Sequence, residues 1–303
     1  MNLFFGTLLK IAIILLTATV AFGFLDRQLA VADSFSHFRL HLLVLLFIAA
    51  LVLSFFRAWR WVLPVFLVAP VIALNAEFLE WPKVYTLPIG QDVRLVQFNS
   101  LFNNPKPDFS ANWILEQNPD IVTLQEVSKQ SRLIIDTLQP KLPYAVVCRF
   151  ATVGGVAVVS RFPIVQSSCV EGQGLVWIQV SIQGKLLTVA SLHLHWPWPY
   201  RQWQQLERLQ IAFAGMPKPI LLAGDFNAAP WSGAIQKVAS ATDTKVVPGI
   251  RLTLRMGPPP LGPIAFVPID HILIPTGFHV RSIKRGPPIG SDHHPLVADF
   301  VWK

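Results

Sequence analysis

Over the first eighty or so residues apolar positions follow one another with almost no polar break; beyond about Val84 they come in short runs separated by Gly, Pro and Asn. In the first part Leu8 to Leu25, Leu40 to Phe56 and Trp61 to Leu79 each approach the roughly 20 residues that an α-helix needs to cross a bilayer. None carries a polar face, so three transmembrane helices are expected rather than three buried core helices. Lys10 lies where a cation can snorkel, and Trp59, Trp61 and Trp81 stand where interfacial aromatics belong.

The second part alternates strand-like and helix-like periods and predicts an α/β domain with two antiparallel-rich sheets. Strands are expected at Val93–Phe98, Ile121–Gln125, Tyr144–Arg149, Val156–Ser160, Val165–Val170, Val176–Ile182, Leu186–His193, Ile220–Gly224, Ile269–Ile274 and Leu296–Trp302. Helices are expected at Ser110–Gln117, Lys129–Leu138, Tyr200–Ala214 and Trp231–Ser240. The chain thus divides into a membrane-anchoring region, 1–82, and a catalytic-sized domain, 83–303. Several strands end in one polar residue, namely Asn99, Glu126, His193 and Asp225. Strands that each deliver a polar group at the same kind of position gather those groups into one cleft.

Composition agrees with this division. The 303 residues are 52% hydrophobic and only 14% charged, with a mean hydropathy of +0.48, too apolar for an ordinary soluble domain. Lys10, Arg57 and Arg60 favour the cytoplasmic side, which places the domain on the exoplasmic (periplasmic) face of an inner or plasma membrane. Alternatively, Ala30-Val31-Ala32 ends a cleaved signal peptide, leaving two spans and the same final topology. In an oxidising compartment Cys148 and Cys169 are free to pair, although two buried thiols fit the sequence equally well. A net charge of +8 suits an anionic partner, either nucleic acid or lipid headgroups, and does not choose between them.

The chemistry-bearing residues recur as short motifs: Gln97-Phe98-Asn99-Ser100, Leu124-Gln125-Glu126-Val127, Ser160-Arg161-Phe162-Pro163 and Leu192-His193-Leu194. Gly224-Asp225-Phe226-Asn227, Ile269-Asp270-His271-Ile272 and Ser291-Asp292-His293-His294-Pro295 follow. Glu126 offers a carboxylate of the kind Mg²⁺ takes once or twice from a protein; alone it reads more readily as the cap of a helix starting near Ser128. Asp225 and Asn227, two apart, reach the same reacting centre, yet Gly-Asp-Phe-Asn alone is as consistent with an Asx turn. Asp292-His293 places an acid beside a proton carrier at a Pro-broken turn. His271 and His294 are expected on the opposite strand face, as structural residues. The run Trp196-Pro197-Trp198-Pro199 with Tyr200 and Trp203 reads as packing, as a base-stacking platform or as an aromatic edge on lipid headgroups.

In this order the motifs resemble the endonuclease/exonuclease/phosphatase superfamily, which includes deoxyribonuclease I, abasic-site endonucleases, inositol polyphosphate phosphatases and neutral sphingomyelinases. The resemblance covers residues 93 to 302. It implies a four-layer α/β/β/α sandwich of the deoxyribonuclease I type, here preceded by about three transmembrane helices. It further implies a Mg²⁺-dependent phosphoric ester hydrolase, with Mn²⁺ as an alternative ion. Glu126, Asn99 and Asp292 would serve the metal. Asp225 would be the general base, Asn227 the amide that orients water, His293 the imidazole opposite, Asp270 its orienting carboxylate and His193 a phosphate contact. The expected substrate is nucleic acid. A phospholipid headgroup, as for a sphingomyelinase, is the rival, and a non-catalytic membrane-binding module is a third reading that the full residue set argues against.

Overall fold

The computed structural model describes residues 3–55, 60–63, 65, 91–257 and 264–302. In chain order the strands are β1 (Gln91–Asn99), β2 (Ile121–Val127), β3 (Tyr144–Ala151), β4 (Gly154–Ser160), β5 (Ile164–Val170), β6 (Leu175–Ile182) and β7 (Lys185–His193). They continue with β8 (Ile220–Asp225), β9 (Thr244–Val246), β10 (Leu254–Met256), β11 (Ile264–Val267), β12 (Asp270–Pro275), β13 (Phe278–Arg285) and β14 (Leu296–Trp302). The helices are α1 (Leu3–Phe22), α2 (Ala30–Ser36), α3 (Arg39–Ser54), α4 (Pro107–Glu116), α5 (Arg132–Leu138), α6 (Gln202–Gly215) and α7 (Gly233–Thr242).

Two six-stranded sheets form the centre, one ordered β13-β14-β1-β2-β4-β3 and the other β5-β6-β7-β8-β12-β9. Each is antiparallel except for one parallel pair, β1 with β2 and β7 with β8. Between them Val93, Leu95, Val156 and Val158 meet Ile178, Val180, Val189, Leu221 and Ile272 in one buried core. The opposite strand phase faces helices: Val96, Phe98, Val122 and Leu124 pack against Ile114, Ile134 and Leu138 of α4 and α5. Leu192, Ile220 and Leu222 pack likewise against Leu206, Leu209, Phe213 and Val238 of α6 and α7. This is the four-layer sandwich expected, made by period-two strands that bury both faces. Cys148 and Cys169 form a disulfide joining β3 and β5, the edge strands of the two sheets.

The N-terminal region differs from the three spans expected. Gly6–Leu25 is the one described helix long and apolar enough to cross a membrane. The second expected span is a 16-residue helix, α3, reaching about 24 Å at 1.5 Å per residue, short of a bilayer core of roughly 30 Å. It passes the same criterion only together with α2, from which it is bent by 59°. The polar stretch Ser36-His37 and Arg39 ends the apolar run there; Arg39 turns back to Asp26 (3.0 Å) and the Gly23 carbonyl. The third expected span lies almost wholly outside the described residues; of its start, Val62 and Val65 pack with Ile13, Leu46, Ala50 and Leu53.

Candidate active site

The strand phase that fills the inter-sheet core with Val and Leu turns polar at one end of the sandwich. On β1, Val93 and Leu95 are followed in phase by Gln97 and Asn99; on β7, Leu187 and Val189 by Ser191 and His193; on β8, Leu221 and Ala223 by Asp225. Register aligns them, since His193 sits opposite Asp225 across the parallel pair and Asp270 opposite Asp225 across β12–β8. His293 arrives from the loop before β14, its backbone N–H donating to Ser291 Oγ (3.0 Å) while Ser291 Oγ donates to the Asn99 carbonyl (2.8 Å). Glu126 breaks the alternation: it has φ 56°, and the β2–β4 register shifts between Leu124 and Val127. Gly154, at φ 105°, lets β4 approach this bulge, because a Cβ there would lie 2.8 Å from the Glu126 carbonyl carbon.

Asp225 is the hub. Its Oδ2 accepts from Asn99 Nδ2 (2.9 Å) and lies 3.5 Å from His193 Nε2 and 3.8 Å from His293 Nε2; its Oδ1 accepts from the Asn227 N–H (2.9 Å). Asn227 donates Nδ2–H to the Leu194 carbonyl (2.8 Å), and its buried Oδ1 has no hydrogen-bond partner among the described residues. That acceptor suits a hydrogen of water. His293 Nδ1 is 2.8 Å from Asp270 Oδ2, and Asp270 Oδ1 accepts from Gln97 Nε2 (2.9 Å).

Burial and neighbouring charge set the protonation states. Burial pushes the Asp225 carboxyl up to about 7 against the pull of His293. For His293 burial acts downward, but Asp270 and Asp225 outweigh it and raise the imidazole to about 10. For Asp270 burial acts upward and is overcome by His293 and by hydrogen bonds from Thr253 and Gln97, so its carboxyl falls below the usual range. Burial and the nearby His293 cation depress His193 to about 3, which leaves it a neutral hydrogen-bonding group.

Asp225, Asp270 and His293 each bring one ligand atom within 4.8 Å of the others. That trio could hold a cation only if His293 gave up its proton; with the proton in place it is arranged for proton transfer. The Glu126 side fits a hard cation better. The Glu126 carboxylate accepts from Asn99 Nδ2 (3.2 Å) and the Phe102 N–H (3.0 Å), and burial and Asp292 raise its pKa. Two carboxylates repelling each other at a cleft mouth, with oxygen donors to spare, match what Mg²⁺ takes. Asn99 here turns its nitrogen toward Glu126 and Asp225, while its Oδ1 accepts from the Leu101 N–H (3.1 Å). As an oxygen ligand Asn99 would first rotate its amide; as it stands it ties the two carboxylates together.

A family model described as the endonuclease/exonuclease/phosphatase family matches residues 96–293, spanning the strands that deliver all of these groups. The chain belongs to the endonuclease/exonuclease/phosphatase family. Solved structures of the same fold include the catalytic domain of human nocturnin with bound sulfate, at 21% identity and TM-score 0.55, covering 70% of this chain and 94% of that one. An endonuclease/exonuclease/phosphatase from Bacteroides vulgatus follows at 19% identity and TM-score 0.57, with coverage of 70% and 100%. A mutant beta toxin of Staphylococcus aureus with bound magnesium ions is similar at 16% identity and TM-score 0.52, again with coverage of 70% and 100%. No curated protein sequence matches the chain.

In this family member the sequence-predicted residues Asn99, Glu126, His193, Asp225, Asn227, Asp270 and His293 are brought together, with Asp292 exposed beside them. His271 and His294 turn elsewhere, to the carbonyls of Ala228 and Gly286 (2.8 Å each). Arg161 of the Ser-Arg-Phe-Pro motif pairs with Asp120 (3.4 Å), away from the hub. His195 stacks beside Phe150, which also faces His193.

Sequence reasoning missed two features. A buried chain runs beneath the site from Asp270 through Gln97, Gln125 and Ser191 to the Leu124 carbonyl, every link 2.9 Å, crossing from one sheet to the other. Its signal was polar residues in the core phase of β1, β2 and β7. The second is a clamp from the N-terminal region. Asp33 of α2 accepts from the backbone N–H groups of Gly233 (2.8 Å) and Ala234 (3.0 Å) and from Trp203 Nε1 (2.9 Å). Trp231 Nε1 donates to the Ser36 carbonyl (2.7 Å), and Ser34 Oγ to the Trp198 carbonyl (3.0 Å). No local pattern marks a cap supplied from 200 residues away.

Proposed function

We propose that the protein is a membrane-anchored, divalent-metal-dependent phosphoester hydrolase acting on phosphoesters at the bilayer surface. The observation that carries the reading is Asp225, raised to about 7 and ringed by Asn99, Asn227, His193 and the Asp270-held His293. A base works best with a pKa near the operating pH, and Asp225 meets that condition. Asp225 takes a proton from the attacking water, which the free Oδ1 of Asn227 orients. His293, cationic and fixed by Asp270, offers Nε2–H to the charge that grows on phosphoryl oxygen or leaving group. His193, neutral, positions the scissile phosphate by hydrogen bonding. A hard cation held by Glu126 and Asp292, Mg²⁺ above others, supplies electrostatic neutralisation of the phosphate when bound.

The membrane reading rests on the apolar helix Gly6–Leu25 and on the clamp that holds α2 against the catalytic domain. A clamped domain stays near the bilayer rather than swinging on a tether, and Trp196, Trp198 and Tyr200 are exposed next to α2. These features favour a lipid-headgroup phosphoester over nucleic acid. The net charge of +8 favours the second reading, a nuclease on the exoplasmic face.

Full-length protein in detergent, assayed on phospholipid vesicles, plasmid DNA and bis(p-nitrophenyl) phosphate with Mg²⁺ or with EDTA, tests both levels. EDTA should abolish hydrolysis, and Asp225→Ala should lower it by about two or more orders of magnitude. Hydrolysis indifferent to both EDTA and Asp225→Ala would reject the assigned site. Cleavage of plasmid and not of vesicle lipid would select the nuclease reading.

A further inference from the structure

A cavity of about 490 Å³ lies where the end of the first apolar helix meets α6 and α7, and none of its lining residues belongs to the candidate active site. Arg27, Trp203, Glu207, Gln210, Gln236 and Lys237 line it. Arg27 follows the apolar stretch Gly6–Leu25 by two residues, the depth at which a chain leaving a bilayer meets headgroups. Lys237 Nζ stands 4.4 Å from the centre of the Trp203 ring, which fixes its ammonium at the wall. Arg27, Glu207 and Lys237 form no side-chain hydrogen bond or ion pair among the described residues.

The walls are held in place relative to one another. Asp33 takes the first two amides of α7 and the Trp203 indole, and Gly233 packs so closely that a Cβ there would overlap the Asp26 carbonyl. The cavity is therefore a joint between anchor and domain, faced by two cations and one carboxylate; Arg27 also feels the neighbouring Asp26, and Lys237 rests on the Trp203 ring. A ligand matching that charge pattern carries one phosphate, for Arg27 and Lys237, and one ammonium, for Glu207. Trp203 supplies an amphipathic wall for the glycerol portion. A volume of this size lies within the usual range for small-molecule sites.

We propose that this cavity binds the headgroup of a membrane phospholipid bearing both a phosphate diester and a primary ammonium, phosphatidylethanolamine being the simplest example. The inference rests on the membrane-anchored reading and is independent of which phosphoester the active site cleaves. Bound lipid bridges Arg27 on the anchor to Lys237 on the domain and so strengthens the clamp.

The test is native mass spectrometry of the full-length protein in detergent. The additives are phosphatidylethanolamine, phosphatidylglycerol, phosphatidylcholine or soluble glycerophosphoethanolamine. The wild type should retain phosphatidylethanolamine about tenfold better than the other three, a difference of about 1.4 kcal/mol. Arg27→Gln and Lys237→Gln should each lower that retention several-fold, and Glu207→Gln should bring phosphatidylglycerol level with phosphatidylethanolamine. Gln210→Trp, which fills the cavity without changing its charge, should abolish retention and serves if a charge variant does not fold. Equal retention of the three lipids, or retention indifferent to Arg27→Gln, Lys237→Gln and Gln210→Trp, would overturn the proposal. Soluble headgroup bound as tightly as the lipid would overturn it in favour of a free phosphoester. Release of the chain from membranes by alkaline carbonate would instead defeat the anchored reading itself, before any lipid is added.

Discussion

At pH 7 Asp225, raised to about 7, divides between its protonation states, while His293, raised to about 10, keeps its proton. On the proposed assignment the active form has Asp225 ionised and His293 protonated, so with Mg²⁺ present kcat/KM should climb on the acid side as Asp225 ionises and fall on the alkaline side as His293 loses its proton. Asp270→Asn removes the strongest upward influence on His293. It should bring the alkaline limb down by at least one pH unit and lower kcat by about two orders of magnitude. A pH–rate profile whose alkaline limb stays in place would show that Asp270 does not set that proton. Asp225, like Asn99, Glu126 and His193, was legible because it ends an apolar run, where a polar side chain has no packing reason to be; Asp270 opens β12 and His293 precedes β14, and both were legible through the ordered set of motifs. Gln97, Gln125 and Ser191 were not, because amides and hydroxyls inside a strand read as ordinary substitutions until two sheets are laid face to face. Asn99 shows the same limit: its place was legible, while the choice of nitrogen over oxygen toward Asp225 and Glu126 belongs to the contacts around it.

Elements with strong period-two burial were legible nearly to the residue, as with Leu296–Trp302, because both faces of those strands are covered. β13 was missed because Phe278–Arg285 is an edge strand with half-exposed polar positions, and β9 and β10 because three residues carry no period. The Asp33 clamp was beyond any local pattern, since an N-cap is sought next to its own helix. Ser232 supplies that local cap, accepting from the Ile235 N–H at 3.3 Å, while Asp33 satisfies the two amides before it. Asp33→Ala would leave those amides and the Trp203 indole buried without a partner. It should cost about 1–3 kcal/mol and speed hydrogen exchange at Gly233 and Ala234. Unchanged protection at both amides would mean the clamp contributes nothing in solution. The disulfide was one of two open alternatives; it closes a loop of 21 residues, and the double change Cys148→Ser, Cys169→Ser should lower stability by about 3 kcal/mol in urea melts.

For the molecule as a whole, burying titratable groups in and beside one dry cleft ties folding to pH. His193 and His271 have folded pKa values of about 3 and 4 against 6.5 unfolded, so each contributes stability above pH 6.5 that is lost as pH falls toward those values. Asp225 works the other way: raised from 3.8 to about 7, it costs stability as pH rises across that interval. His293, raised from 6.5 to about 10, contributes stability that is fully present below pH 6.5 and is lost as pH rises through 10. Between pH 4 and 6.5 the lowered imidazoles His193 and His271 make stability rise with pH, and the raised Asp225 opposes them. Above pH 7 the raised His293 makes stability fall as pH climbs toward 10. Urea unfolding measured from pH 4.5 to 9.5 should therefore trace a dome with its maximum between pH 6 and 7. His293→Gln should flatten the alkaline side, because the group whose proton folding takes up is gone. Mg²⁺ should also flatten part of the rise in cost near pH 7, since a cation beside Glu126 favours ionised carboxylates in the folded state. A stability profile still rising at pH 9 would contradict a protonated His293 held between Asp270 and Asp225, and with it the proton inventory on which the hydrolase reading depends.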